Sequence, residues 1–328
     1  MKKTSFKVFS LFILTTILAI SCKVDDGDLL SVPETNIVEV ASSTAELSTL
    51  VSALQRADLV TTLESSTLYT VLAPTNAAFT NFLGQAGFST VDEVPVETLR
   101  QILLNHLVAS RVDAAVLSNL QKNYVQTFAD GPSSNSRLSL YFDATDGVVF
   151  NGSATVTKAD ILASNGLIHI VDQVIAIPTL DTFISTDDNF EDLDTALDVI
   201  SPLTDLTDLL KESTAGPFTV FAPVNAAFDN LLDTNDDWNF ISDIDETLLT
   251  SVLAHHVISG NIRAFDFQNS PTLPSLEGDG ILVGQNAGLT QLTDGSGESD
   301  IIVRATDVQA SNGVLHLIDK VMMPNTEN

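Results

Sequence analysis

The chain has 328 residues, with 43 Asp or Glu against 14 Lys or Arg, and a formal net charge of −29. A surface this negative repels nucleic acid and anionic lipid headgroups, which excludes both as direct partners of the folded part. Hydrophobic residues make up 44% of the chain, enough to build cores, and the length predicts two domains of about 150 residues each.

Residues 1–21 have the pattern of an export signal. Lys2, Lys3 and Lys7 precede an apolar run at residues 8–20 that is too short to span a bilayer comfortably, and small residues lead into Cys22. This resembles a bacterial lipoprotein signal, in which the cysteine is lipidated, although Ala19 stands where leucine is usual. The alternative is an ordinary secretory signal with an incidental cysteine.

Residues 22–33 are interpreted as a polar tether. The sequence KVDDGD after Cys22 resembles a signal for the outer face of the outer membrane. Because Cys22 is the only cysteine, its lipidation leaves no intramolecular disulfide, and packing must hold the exported fold. The expected location is therefore the outer membrane, exposed at the cell surface, with membrane contact only through the Cys22 lipid.

Apolar spacing predicts helices over residues 37–54 and 96–108, and a helix capped by Thr75 or Asn76. A short β-type run lies at residues 68–72, and alternation predicts strands at residues 136–142, 147–150, 154–157 and 167–177. Asn-Gly pairs at 165–166 and 312–313 indicate turns with positive φ, and Asp172 and Asp319 are expected to bind backbone amides there. Helices precede strands, so the predicted class is α+β.

Three blocks occur twice in the same order. TVLAPTNAAF at 70–79 matches TVFAPVNAAF at 219–228, LRQILLNHLV at 99–108 matches LTSVLAHHVI at 249–258, and NGLIHIVDQV at 165–174 matches NGVLHLIDKV at 312–321. The near-constant offsets of 149, 150 and 147 indicate a duplication with units at 34–178 and 180–324. So short a connection predicts that the two units are in contact.

These blocks are similar to those that mark the fasciclin-type (FAS1) domain, over almost all of the sequence after the signal. The resemblance implies two tandem domains, each a small wedge-shaped β-sandwich with a packed helical cluster. It also implies that the histidine block containing His106 and His256 is structural or part of an adhesive surface.

Four histidines are interpreted as structural. His106 and His256 lie on apolar helix faces, where an imidazole bonded to a backbone group or a tyrosine is expected, and His169 and His316 lie mid-strand among aliphatic residues. His255 falls off the apolar face and is expected to be exposed. No HExxH motif or converging ligand set occurs, so neither a metal nor a cofactor is predicted.

No catalytic signature is found: GxSxG, GxxxxGK[ST] and GxGxxG are all missing, and the chain is predicted not to be an enzyme. Two acidic loops contain residue types that could bind calcium. Asp233, Asn235 and Asp237 form D-x-N-x-D, but Trp238 and Ile244 stand where an EF-hand needs glycine and glutamate. Residues 294–300 also offer carboxylates, and solvated acidic loops are the expectation for both.

Two kinds of ligand-binding residue are candidates. Asp160-Ile161 and Asp307-Val308 resemble the Asp-Ile segment through which some animal fasciclin-type proteins engage integrins, although the second pair lacks the isoleucine; a structural turn is the alternative. Trp238, the only tryptophan, is a candidate platform for a glycan.

These observations together predict a surface-anchored, non-enzymatic adhesion or matrix-interaction lipoprotein. Its expected partners are cell-surface or matrix glycans or proteins. The alternative is a glycan-binding accessory lipoprotein that serves polysaccharide capture and uptake.

Overall fold

The computed structural model describes residues 33–200, 205–214 and 216–325, so the predictions for the signal and Cys22 lie outside the described residues. Within that part of the chain, no single helix is long and apolar enough to cross a membrane. The helical segments Ile37–Ser43 and Ala45–Arg56 pass the same length and composition test only as a pair, bent by 108°.

In the first half, helices cluster before and around β1, and most strands follow. The helices are α1 Ile37–Ser43, α2 Ser48–Arg56, α3 Val60–Leu63, α4 Asn76–Gln85, α5 Val96–Asn105 and α6 Ala114–Leu120. The strands are β1 Tyr69–Pro74, β2 Leu107–Val108, β3 Lys122–Asp130, β4 Arg137–Asp143, β5 Val149–Phe150, β6 Ala154–Ala163 and β7 Gly166–Val171.

The second half repeats this order. Its helices are α7 Leu180–Thr186, α8 Glu191–Ile200, α9 Leu206–Lys211, α10 Asn225–Leu232 and α11 Glu246–His255. Its strands are β8 Phe218–Pro223, β9 Val257–Ser259, β10 Thr272–Pro274, β11 Gly280–Asn286, β12 Leu289–Thr293, β13 Ile301–Ala310 and β14 Gly313–Ile318. Short 3₁₀ helices lie at Ala45–Leu47, Val91–Glu93, Asp188–Phe190, Ile241–Asp243 and Ala264–Asn269.

The helix predicted over residues 37–54 is in fact two helices. Asn36 and Glu39 form a reciprocal capping box that starts α1. At Thr44 the backbone turns extended, with φ −101° and ψ 107°, and the Thr44 hydroxyl donates to the Val40 carbonyl at 2.8 Å. Leu47 in the intervening turn is also buried, so the apolar spacing continues across the break. The sequence pattern therefore does not show where α1 ends.

The strands of the first half close on themselves in the order β1 to β7. β1 pairs with β7 in parallel and with β2 antiparallel. β3 pairs with β2 and β4, and β6 pairs with β5 and β7, so these two strands connect β1, β2 and β7 to β4 and β5. The second half has the order β10-β11-β12-β13-β14-β8-β9, with β14 and β8 parallel. The α+β prediction is confirmed.

Each half has two cores on opposite sides of the closing strand. In the first half, Ile168 and Ile170 of β7 join the core under the helices, while Val171 joins a second core enclosed by the strands. The second half likewise divides its buried residues between a helical core and a strand core. A closing strand buried on both faces explains its nearly continuous run of aliphatic residues.

The Asn-Gly pairs before β7 and β14 fix the first helix of each half. The Asn165 Oδ1 atom accepts a hydrogen bond from the Ile37 N–H, and the Asn312 Oδ1 atom accepts one from the Leu180 N–H, both at 2.9 Å. The predicted backbone bonds of Asp172 and Asp319 are also confirmed, to the N–H groups of Thr155 at 2.8 Å and Ile302 at 2.7 Å.

The two halves are in direct contact, as their short connection predicted. The Tyr124 hydroxyl donates to Oδ2 of the buried Asp187 at 2.7 Å, and its ring lies edge-on to Phe183 at 5.4 Å. On β4, the Ser139 hydroxyl oxygen accepts from the Gln309 N–H at 2.9 Å, and Tyr141 belongs to the helical core of the second half. The contact therefore joins β3 and β4 to α7, the following 3₁₀ helix and β13.

Candidate functional site

His106 and His256, at the ends of α5 and α11, bond each helix to the segment after the closing strand of its half. Nδ1 of His106 donates to the Ile102 carbonyl at 2.7 Å, and Nε2 accepts from the Ile175 N–H at 2.9 Å. His256 does the same with Val252 and Met322. Because a backbone N–H points at Nε2, the proton of each neutral ring must sit on Nδ1.

Burial lowers the pKa of His106 to about 4 and that of His256 to about 3. The backbone hydrogen bond of each ring, to Ile102 or Val252, raises the pKa and offsets only part of this effect. Both rings are only 1% exposed. They are neutral at pH 7 and unable to reach a ligand at the surface.

His169 and His316 belong to a second arrangement that occurs in both halves. Nε2 of His169 lies 2.8 Å from the Val112 carbonyl, and Nδ1 accepts from the Asp160 N–H at 3.3 Å. The Asp160 carboxylate in turn accepts from the Ala114 N–H at 3.0 Å. We call this set, and its counterpart in the second half, the Asp–His latch.

The second latch has nearly the same distances. His316 lies 2.9 Å from the Ile262 carbonyl and 3.3 Å from the Asp307 N–H, and Asp307 accepts from the Ala264 N–H at 2.9 Å. Asp160 and Asp307 both have positive φ, 57° and 65°, at irregularities in β6 and β13. Each latch therefore ties a bulged strand, the closing strand and the start of a helix together.

The candidate integrin-like pairs are parts of these latches. Asp160 and Asp307 lie at the surface, but one carboxylate oxygen of each is already bonded to the backbone. Ile161 packs half-buried against the helical core, and Val308 is 5% exposed. The Val308 side chain therefore offers almost no surface to a partner.

Trp238 is half-buried against the helical core of the second half, not fully exposed. Two phenylalanines, Phe240 and Phe265, are far more accessible, at 70% and 73% exposed. Neither phenylalanine is among the candidates predicted from the sequence. The repeat indicates that neither position requires an aromatic side chain, because the aligned residues 150 positions earlier are Thr90 and Ala115.

The prediction that His255 is exposed is wrong, because the ring is fully buried. Nδ1 lies 3.2 Å from the Ser275 hydroxyl and 3.4 Å from a Glu277 oxygen, and Nε2 accepts from the Gly295 N–H at 3.2 Å. Burial lowers its pKa, opposed by nearby carboxylates, first that of Glu277. The apolar spacing of α11 indicates only the helix face that packs on the core. The loop after β12 covers the other side of this helix, where His255 lies.

The acidic loop at residues 294–300 makes its own hydrogen bonds. The Asp294 carboxylate accepts from the Ser296 hydroxyl and from the N–H groups of Glu298 and Met323 at 2.7–2.9 Å. Asp300 pairs with Lys320. Within residues 33–200, 205–214 and 216–325, no group of three or more His, Cys, Asp or Glu side chains is arranged to hold a metal ion.

The sequence profile of the Fasciclin domain matches residues 45–178 and 191–324, which together make up most of the chain. The chain belongs to the fasciclin family. Each of the two fasciclin domains therefore contains one Asp–His latch and one histidine at the end of a helix, His106 in the first and His256 in the second.

Relatives of the fasciclin chain are found in animals and bacteria. It is 29% identical over 260 residues to transforming growth factor-beta-induced protein ig-h3 of Sus scrofa, covering 79% of this chain and 35% of that protein. It is 39% identical over 142 residues to Protein sll1483 of Synechocystis sp., covering 43% and 73%. The chain thus spans about a third of the length of the ig-h3 protein.

A solved structure also resembles the fasciclin chain. It is the FAS1 domain pair from the insect cell adhesion molecule fasciclin I, with 21% identity and a TM-score of 0.49 over 83% of this chain and 92% of that one.

Proposed function

We propose that this fasciclin chain is a surface-anchored, non-enzymatic adhesion protein that binds cell-surface or matrix glycans or proteins. Its support is the family, because the relatives of the chain, such as transforming growth factor-beta-induced protein ig-h3, are adhesion-type fasciclin proteins. The observation that carries the proposal is the direct contact between two fasciclin domains, through Tyr124 and Asp187. Two domains joined in this way present two neighbouring surfaces, and a partner that engages both gains avidity.

The interior position of the histidines supports a non-enzymatic role. All five rings are at most 1% exposed. A general base has to come within hydrogen-bond reach of its substrate, and these imidazole nitrogens face groups of the chain itself.

Purified full-length chain tests the adhesion proposal. We expect it to retain bacterial cells or immobilised polysaccharides above a control protein of equal size and similar negative charge. Retention no higher than that control, over all cells and polysaccharides tried, would remove the adhesion proposal.

Surface anchoring is proposed to depend on a lipid on Cys22, with the rest of the protein outside the membrane. We expect Cys22→Ala to release the chain from the membrane fraction and to change its electrophoretic mobility. Ser21→Ala is the matched control, because a small residue before the cysteine keeps the signal pattern. A Cys22→Ala chain that stays membrane-bound with unchanged mobility contradicts lipidation.

A second candidate function is capture of polysaccharide for an uptake system. It is favoured by two adjoining cavities along α4 in the first fasciclin domain, whose lining includes the hydroxyl groups of Ser52 and Thr80 and the amide groups of Asn81 and Gln85. Slower polysaccharide uptake by cells that lack the chain, with normal attachment, would favour this role over adhesion.

A further inference from the structure

Two adjoining cavities lie along α4 in the first fasciclin domain. One, of about 700 Å³, is bounded by α4 and the turn after β7; the other, of about 550 Å³, lies between α2, α4 and the segment after α4. Thr80 and Gly84, one helical turn apart, line both cavities. We call the pair of cavities the α4 groove.

Gly84 is unusual because no contact with the described residues requires a glycine there. It lies inside α4, where glycine is a poor helix former. Its φ is not positive, and a Cβ atom built on it would meet no heavy atom within 4 Å. A side chain at this position would instead project into open space between the two cavities.

Apart from two carboxylates, the lining of the α4 groove is uncharged and rich in hydrogen-bonding groups. Among the described residues, the amides of Asn81 and Gln85 and the hydroxyl of Thr90 have no hydrogen-bond partner within the chain. The only charged lining residues are Asp172 and Asp92, one in each cavity, and Phe88 contributes a half-buried aromatic ring. This lining disfavours anions and offers paired donors and acceptors to a polyhydroxylated ligand.

The matching position in the second fasciclin domain has different chemistry. Asp233 stands where the first domain has Gly84, at the end of α10. The cavity beside α10 is smaller, about 470 Å³, and its lining includes Asp294, Glu298 and Lys320. The loop at residues 294–300 supplies two of these charges, whereas the corresponding turn of the first domain is short.

We propose that the α4 groove of the first fasciclin domain binds a neutral oligosaccharide, and that Gly84 keeps the path between its two cavities open. Asn81, Gln85 and Thr90 bind sugar hydroxyls, and a chain of several sugar units extends past Gly84 from one cavity into the other. This inference rests on the proposed adhesion function and specifies the class of ligand that the chain binds.

Substitution at Gly84 tests the inference without disturbing the fold. We expect the full chain in detergent to bind neutral oligosaccharides on an array that also carries acidic oligosaccharides and an oligolysine peptide. Gly84→Leu should weaken that binding more than about tenfold, because the side chain fills the path. The thermal midpoint should not fall, since leucine is a better helix former than glycine and its Cβ atom would meet no heavy atom within 4 Å.

Asp233→Leu is the matched control in the second domain and should leave oligosaccharide affinity unchanged. The inference is overturned if no neutral oligosaccharide binds, if Gly84→Leu binds as wild type does, or if only oligolysine or acidic sugars bind.

The same variants separate this inference from the adhesion proposal. Wild type and Gly84→Leu retaining cells equally well would leave adhesion standing and remove the groove as its site. Oligosaccharide binding that Gly84→Leu abolishes, without any retention of cells, would keep the groove and remove adhesion.

Discussion

His106 and His256 act as neutral hydrogen-bonding groups. Each ring donates from Nδ1 to a helix carbonyl and accepts at Nε2 from a backbone N–H. Protonation would place a second donor against that N–H inside a core, so the same bonds that fix the ring also resist acid. These two residues therefore couple the fold to pH.

We expect the free energy of unfolding to fall as pH drops below 6.5. The unfolded His106 takes up a proton near pH 6.5, whereas the folded one stays neutral down to about pH 4, so the unfolded state binds more protons in this window. The stability that His106 contributes is present above pH 6.5 and is lost as pH falls towards 4, about 3 kcal/mol in total.

The variant His106→Gln removes this titration. Urea unfolding followed by circular dichroism between pH 6.5 and 5 should show a slope smaller than that of wild type by up to about 1.4 kcal/mol per pH unit. Equal slopes for the two proteins would show that His106 takes up its proton in the folded state as well.

The candidate site was only partly predictable at the residue level. The sequence indicated that His106, His169, His256 and His316 occupy repeated positions, but periodicity alone could not show that Asp160 and Asp307 bond to a helix start over 40 residues away along the chain. Nor could it show that a later loop covers His255. Such contacts depend on long-range packing, which local patterns do not contain.

At the level of elements, repeated blocks were the strongest guide. They located β1 and β8, α5 and α11, and the closing strands β7 and β14. By contrast, α6 and β3 are not predicted from the sequence. For β3, one reason is that Tyr124 packs against the second domain instead of the core of its own domain. The burial of β3 therefore does not alternate regularly, and its sequence does not either.

We expect Gly166→Ala to disrupt the first fasciclin domain. A Cβ atom at Gly166 would overlap the Tyr69 carbonyl oxygen on the paired strand β1, so β1 and β7 would have to separate. The expected cost is about 3–5 kcal/mol, or failure to fold, measured by thermal unfolding. Gly84→Ala is the control and should leave the midpoint unchanged or raised; a Gly166→Ala midpoint equal to wild type would contradict this role.

At the scale of the whole molecule, the contact between the fasciclin domains depends on a buried charged group. Asp187 is 3% exposed and receives hydrogen bonds from Tyr124 and from the N–H and side chain of Asn189. Burial, and after it the nearby Asp187 carboxylate, raises the pKa of Tyr124, which keeps its hydroxyl a donor. Loss of that donor leaves a buried carboxylate less well satisfied.

We expect Tyr124→Phe to lower the free energy of unfolding by about 1–3 kcal/mol. Tyr69→Phe is the matched control, because its hydroxyl makes a longer bond, 3.3 Å to the Thr62 carbonyl, within the first domain. Urea unfolding compares the two variants. A Tyr124→Phe cost no larger than that of Tyr69→Phe would show that the Asp187 contact contributes little to joining the domains.

Adhesion is tested most directly on cells that display the fasciclin chain. Attachment to a surface coated with matrix polysaccharide, or to neighbouring cells, is measured under flow with and without the gene for the chain. We predict that cells lacking it detach several-fold faster, and that re-expression of wild type restores attachment. Equal detachment of the two strains on every surface would contradict an adhesive function.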